Sequence, residues 1–144
     1  MTTVVPDASV IVKWVFADRA EESHAFKAPH ILQLIKESQL SIVQPPHWLA
    51  ETAAVIARLD PGRAREAVSL LYALELPIMA DVDVYQEACE LSASLGQHVF
   101  DTLYHAVALH ESGVSLVTAD ERYYRVAHRR GQIVRLQDFV LSSL

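Results

Sequence analysis

The feature that most limits how this chain can fold is a set of very short apolar runs held far apart. Thr3–Pro6, Leu40–Val43, Pro77–Ala80, Ser115–Thr118 and Gln132–Leu136 are each separated from the next by residues with helical apolar spacing. Runs of this length, bounded by Pro, Asp or Gly, read as strands. Strands with helices between them pair in parallel through crossovers, and a parallel sheet needs helices on both faces. The expected fold is a three-layer α/β/α sandwich around a short-stranded, mainly parallel sheet. The 144 residues suit a single domain, residues 1–144, without repeats or linkers.

Between these runs, helices are expected over Ser9–Phe16 and from about Ala20 to Ser38, where Pro29 should kink or divide the segment. Trp48, Glu51, Val55 and Leu59 share helical spacing. Asp60-Pro61 reads as a cap followed by Pro at the first helical position, leading into Ala64, Ala67, Val68, Leu71 and Leu74. A helix carrying Tyr85, Ala88, Cys89, Ser92 and Leu95 ends at Gly96. Further helices open at Asp101 and at Asp120, the latter running to Arg130 before Gly131.

Composition narrows the cellular setting. An apolar fraction of 51% with 4 Gly and 6 Pro describes an ordered chain. The one cysteine, Cys89, rules out an internal disulfide and, on an apolar stripe, reads as inert core. The start MTTVVPDAS lacks the features of a secretory signal, and no apolar run approaches the roughly 18 residues of a membrane span. A cytoplasmic location is expected.

Asp7, Glu51, Asp101 and Asp120 stand where the chain leaves an apolar run or enters a helix, too far apart for a local motif. A parallel sheet binds ligands outside the carboxyl ends of its strands, and such an edge would gather all four. Asp7, Asp101 and Asp120 read equally well as helix caps. Glu51, on the stripe with Trp48 and Val55, is harder to explain as structure, although a first-turn Glu facing the helix dipole is an alternative. Clustered carboxylates are costly without a divalent cation, which points to metal-dependent hydrolysis.

The ordered segments VVPDASVIVKW, PPHWLAETAAVIAR, FDTLYHAVA and TADER resemble the PIN-domain family, and within it the VapC-type toxins of prokaryotic toxin–antitoxin pairs. The resemblance spans essentially the whole chain. It implies an α/β/α fold, a Mg²⁺- or Mn²⁺-dependent endoribonuclease, a cognate VapB-type antitoxin and a homodimer. The acidic positions of the family match Asp7, Glu51, Asp101 and Asp120, while Ser9 and Thr118 match hydroxyl positions lining the site. The segment containing His24, Pro29 and His30 is longer than usual for the family, and His105 stands where small or apolar residues are common.

The chemistry suits these residues. Mg²⁺ takes oxygen ligands and keeps several waters, so a few carboxylates suffice, and one or two ions serve phosphodiester hydrolysis. Asp7, Asp101 and Asp120 are assigned to metal binding, with Glu51 holding a metal-bound water or taking the proton of the nucleophile. Crowding without metal should raise at least one carboxylate pKa. Ser9 and Thr118 serve either the site or local structure.

The net charge of −6 weighs against nucleic acid as a partner. Arg122, Arg125 and Arg129, at helical spacing, offer a face for structured RNA such as tRNA, or only a solvated helix end. Histidine spacing does not support zinc, and the histidines are expected at the surface or satisfied. Trp14, Trp48 and Tyr104 are placed for packing or a dimer surface more than for stacking on bases. Two other readings stay open: a PIN-like module that binds RNA or a partner without cutting, and a phospho-acceptor domain. The second lacks an acidic residue beside Asp7 and a Lys after the last strand.

Overall fold

The computed structural model describes residues 1–19 and 26–141. Its sheet contains β1 (Thr3–Pro6), β2 (Ser41–Ile42), β3 (Val114–Thr118) and β4 (Ile133–Arg135), all parallel, in the order β2-β1-β3-β4. Among the described residues, seven α-helices surround it: α1 (Ala8–Val15), α2 (Lys27–Lys36), α3 (Trp48–Leu59), α4 (Pro61–Tyr72), α5 (Val82–Leu95), α6 (Val99–Leu109) and α7 (Glu121–Ala127). This is the expected three-layer α/β/α sandwich.

The two central strands explain why short runs suffice. Val4, Val5, Leu116 and Val117 are fully buried, as residues covered on both faces of a parallel sheet must be. β1 pairs with β3 in the register Val5↔Leu116 and Pro6↔Val117. Pro6 closes the strand, and the Asp7 amide continues the ladder by donating to the Val117 carbonyl at 3.1 Å. Right-handed crossovers put α1 and α2 on one face and α6 and α7 on the other. α6 is buried continuously from Thr102 to Ala108, since it rests on β1 and β3 and carries α5 on its outer side.

The topology also locates a crevice. The chain leaves β1 toward β2 on one side, and leaves β3 toward β4 on the other. The carboxyl ends of β1 and β3 therefore flank the switch point, where an open parallel sheet binds ligands.

Several expectations are corrected. Pro77–Ala80 does not form a strand. Only one bridge survives, Gln44↔Ile78, because Pro77 has no amide to donate and Ile78 is exposed. Pro29 does not break α2: it occupies the first turn, where a missing N–H leaves no helical acceptor unpaired. The beginning of that expected helix, with His24, lies outside the described residues. Asp60 stands at the N-cap of α4 without bonding the helix amides, and its carboxylate approaches Arg63 at 3.7 Å instead. Cys89 is exposed, because the buried stripe of α5 runs through Val84, Ala88 and Leu91.

His105 and the aromatic residues behave as expected. His105 is buried and satisfied: Nε2 donates to the Gly131 carbonyl (2.8 Å), and the Tyr123 hydroxyl donates to Nδ1 (3.0 Å). Burial pushes its pKa down, in keeping with a neutral ring. Trp14, Trp48 and Tyr104 are core residues. Among the described residues, no helix is long and apolar enough to cross a membrane.

Candidate metal centre and active site

Asp7 leaves β1 in extended conformation and caps α1, its Oδ1 accepting from the Ser9 amide (3.0 Å) and the Ser9 hydroxyl. The buried Thr118 hydroxyl, at the end of β3, donates to Asp7 Oδ2 at 2.5 Å and accepts from the Asp120 amide at 3.0 Å. Ser9 Oγ in turn accepts from the Ala119 amide at 2.9 Å. The network spans the switch point and ties the two strand ends into one unit. Loss of solvent at this carboxylate is the main reason its pKa rises to about 7. The hydrogen bonds from Ser9 and Thr118 oppose that rise, while the charge of Asp120 adds to it.

Asp120 caps α7, accepting from the Tyr123 amide at 3.0 Å. Asp7 and Asp120 are thus caps and site residues at once. Asp101 is not a cap. His98 holds that position, and Asp101 lies in the first turn of α6, as Glu51 does in α3. All four carboxylates line one cavity of about 300 Å³ together with Ser9 and Lys13. A larger groove of about 460 Å³ lies between α1, α2 and α4, but it is mainly apolar and gathers no carboxylate cluster. The chemistry therefore belongs to the smaller cavity.

Burial, followed by the charges of Glu51 and Asp120, raises the Asp101 pKa. The same field reaches behind the cavity. The Tyr104 hydroxyl is buried without a partner, turned toward Glu51 but short of hydrogen-bond geometry. Burial first, then the charges of Glu51, Asp7 and Asp101, keep that phenol protonated. His47 links the two helices: its Nε2 donates to the Phe100 carbonyl on α6 (2.7 Å) and lies 3.5 Å from Glu51 Oε2.

Among the described residues, no three His, Cys, Asp or Glu side chains stand close enough together to hold a metal ion as they are. The donor set still fits a hard divalent cation. Four carboxylates face one cavity, and Asp7 and Asp101 carry raised pKa values in part from neighbouring negative charge. Asp7, Asp101 and Asp120 would have to draw together to hold a cation.

The family model for the PIN domain matches residues 4–129. The chain belongs to the PIN domain family. Two solved structures share its fold. One is VapBC2 from Rickettsia felis bound to a promoter DNA fragment, with TM-score 0.63 and 14% identity over 92% of this chain and 98% of that one. The other is VapC20 from Mycobacterium tuberculosis, a toxin that cleaves the sarcin–ricin loop, with TM-score 0.58 and 16% identity over 81% and 87%. No curated protein matches the chain.

In this PIN domain the structure brings Asp7, Ser9, Glu51, Asp101 and Asp120 to one cavity, with Thr118 bonded directly behind them. The arginines are not brought there. Arg122, Arg125 and Arg129 are exposed and outside the lining, and α7 ends at Ala127, so Arg129 belongs to a following 3₁₀ turn. Sequence reasoning missed Lys13 and His47 as site neighbours. Each is four residues from a predicted site residue, Ser9 and Glu51 respectively, a helical spacing that could have found them.

Proposed function

We propose that this PIN domain is a Mg²⁺- or Mn²⁺-dependent endoribonuclease acting in the cytoplasm as the toxin of a toxin–antitoxin pair. The observation that carries the reading is the convergence of Asp7, Glu51, Asp101 and Asp120 from two strand ends and two helix starts on one cavity. Asp7, Asp101 and Asp120 hold the cation, one ion or two. A bound divalent cation supplies an activated water and offsets charge developing on the phosphate. Glu51, whose Oε2 lies 3.5 Å from His47 Nε2, would be the group to orient such a water and accept its proton on a carboxylate oxygen. Ser9 and Thr118 fix the rotamer of Asp7, the role that bonded neighbours of metal ligands ordinarily play.

The structural neighbours support the partner class: one is a VapBC complex and the other a toxin that cleaves the sarcin–ricin loop. A VapB-type antitoxin segment would fit the apolar groove between α1, α2 and α4, beside the exposed Leu70. A homodimer belongs to the same reading. The test is cleavage of structured RNA, tRNA included, with Mg²⁺ or Mn²⁺ by the wild type, Asp7→Ala and Asp101→Asn. Metal-dependent cleavage by the wild type alone is expected. Folded wild type that leaves a broad RNA panel intact in both metals would favour a module that binds without cutting.

A further inference from the structure

Beside the carboxylate cavity lies a run of three rings to which the chemistry above gives no role. His47 and Phe100 are stacked at 5.6 Å with planes 25° apart, and Phe100 and His98 at 5.0 Å with planes 28° apart. The inner end is fixed. His47 packs on the buried Tyr104 ring at 4.8 Å, bonds the Phe100 carbonyl and touches Glu51. The outer end is open: His98 is exposed, and Phe100 is 56% exposed although it immediately precedes Asp101 in the first turn of α6. Phe100 therefore contributes little to the core, and the run it belongs to meets the cavity lining through His47, 3.5 Å from Glu51.

We propose that this ring run is a stacking platform for one unpaired nucleobase of an RNA substrate, next to the nucleotide whose phosphate meets the carboxylates. The inference rests on the ribonuclease reading of the cavity. Proteins that read single-stranded RNA stack splayed bases on Phe, Tyr, Trp or His, and such stacking tolerates any base because every base has a π-face. Three features favour a base here. The rings are already parallel and ordered by the His47 bond, so a base adds a further layer without reorganising the protein. The middle ring is a largely exposed phenylalanine, which the core does not need. The platform also explains how a chain of net charge −6 would hold RNA without a basic face at the site.

Phe100→Ala, Phe100→Trp and His98→Ala test it with two readouts. The first is the KM and kcat for RNA cleavage with Mn²⁺. The second is fluorescence of a short single-stranded RNA carrying 2-aminopurine, in EDTA, where no cutting occurs and stacking quenches the probe. Phe100→Ala, which removes the middle of the stack, should weaken binding and raise KM roughly tenfold, Phe100→Trp should restore both, and His98→Ala, which removes the open outer ring, should weaken binding at least as much. Equal KM and equal quenching in wild type and Phe100→Ala, with cleavage intact, overturn the platform and leave the ribonuclease standing. Quenching that depends on Phe100 without any cleavage supports the platform and removes the hydrolytic reading. Unchanged RNA behaviour with an altered oligomeric state in Phe100→Ala overturns the proposal in favour of a protein contact.

Discussion

The two halves of the cavity are built differently. Asp7, Ser9, Thr118 and Asp120 sit at the ends of β1 and β3 and are joined by hydrogen bonds of 2.5–3.0 Å. Glu51 and Asp101 sit on the first turns of two helices, joined through His47 and flanked by an unpartnered Tyr104 hydroxyl. The strand-borne half is preorganised, because Thr118 of β3 and Ser9 of α1 hold both Asp7 oxygens and the Tyr123 amide holds Asp120 Oδ1. The helix-borne half keeps unspent hydrogen-bonding capacity and can adjust. In such an arrangement Asp7 and Asp120 would offer a cation oxygens already held in place, and Asp101 would complete the set.

The largest effect should come from breaking the fixed half. Asp7→Asn is expected to lower Mn²⁺-dependent cleavage by at least about 10²-fold, more than loss of a residue that only supports a ligand. It should also change the pH dependence of the metal-free protein. Folded Asp7 keeps its proton up to about pH 7, whereas the unfolded chain releases it near 3.8. The folded state binds the extra proton in that window, so stability from this group is greatest below it and falls as pH rises through it. Melting temperature of the wild type in EDTA should therefore decline from pH 5 to pH 8. In Asp7→Asn that decline should shrink, and an equally steep slope in both proteins would contradict the assignment.

Thr118→Val keeps shape but removes the donor to Asp7 and the acceptor for the Asp120 amide. A loss of roughly 10- to 100-fold in Mn²⁺ affinity is expected by calorimetry. His47→Ala attacks the adjustable half and should do less. The lost bond to Phe100 is worth about 1 kcal/mol in a chemical melt, with at most about a tenfold fall in kcat/KM. If His47→Ala proved more damaging than Thr118→Val, the ranking of the halves would be reversed. Tyr104→Phe is the mildest change: removing a buried hydroxyl without a partner should leave stability unchanged or raise it by up to about 1 kcal/mol.

The same contrast explains what the sequence made legible. β1 and β3 were visible because central strands of a parallel sheet are continuous apolar runs, and the edge strands β2 and β4 because Pro45-Pro46 and Gly131 bound them. Asp7 and Asp120 were visible because a strand end entering a helix is marked by its cap, and both side chains do cap. The helix-borne half was only partly visible. Glu51 stood out on an apolar stripe, but nothing local says that His47 reaches Phe100, 53 positions away. That contact depends on how α3 and α6 pack. The failures have local causes as well. Pro77 and exposed Ile78 give no burial to hold a strand, and α5 buries Val84, Ala88 and Leu91 but turns Cys89 outward. The helix expected to run to Arg130 is α7 to Ala127 and then a 3₁₀ turn over His128–Arg130.

The most direct test of a cation joining the two halves is a calorimetric Mn²⁺ titration of wild type, Asp7→Asn and Asp101→Asn, repeated in two buffers near pH 7. The wild type should bind with release of protons, because Asp7 must ionise to ligate. Removing a carboxylate from either half should abolish binding. Folded wild type that takes up no Mn²⁺, or variants that bind it as the wild type does, would contradict the account.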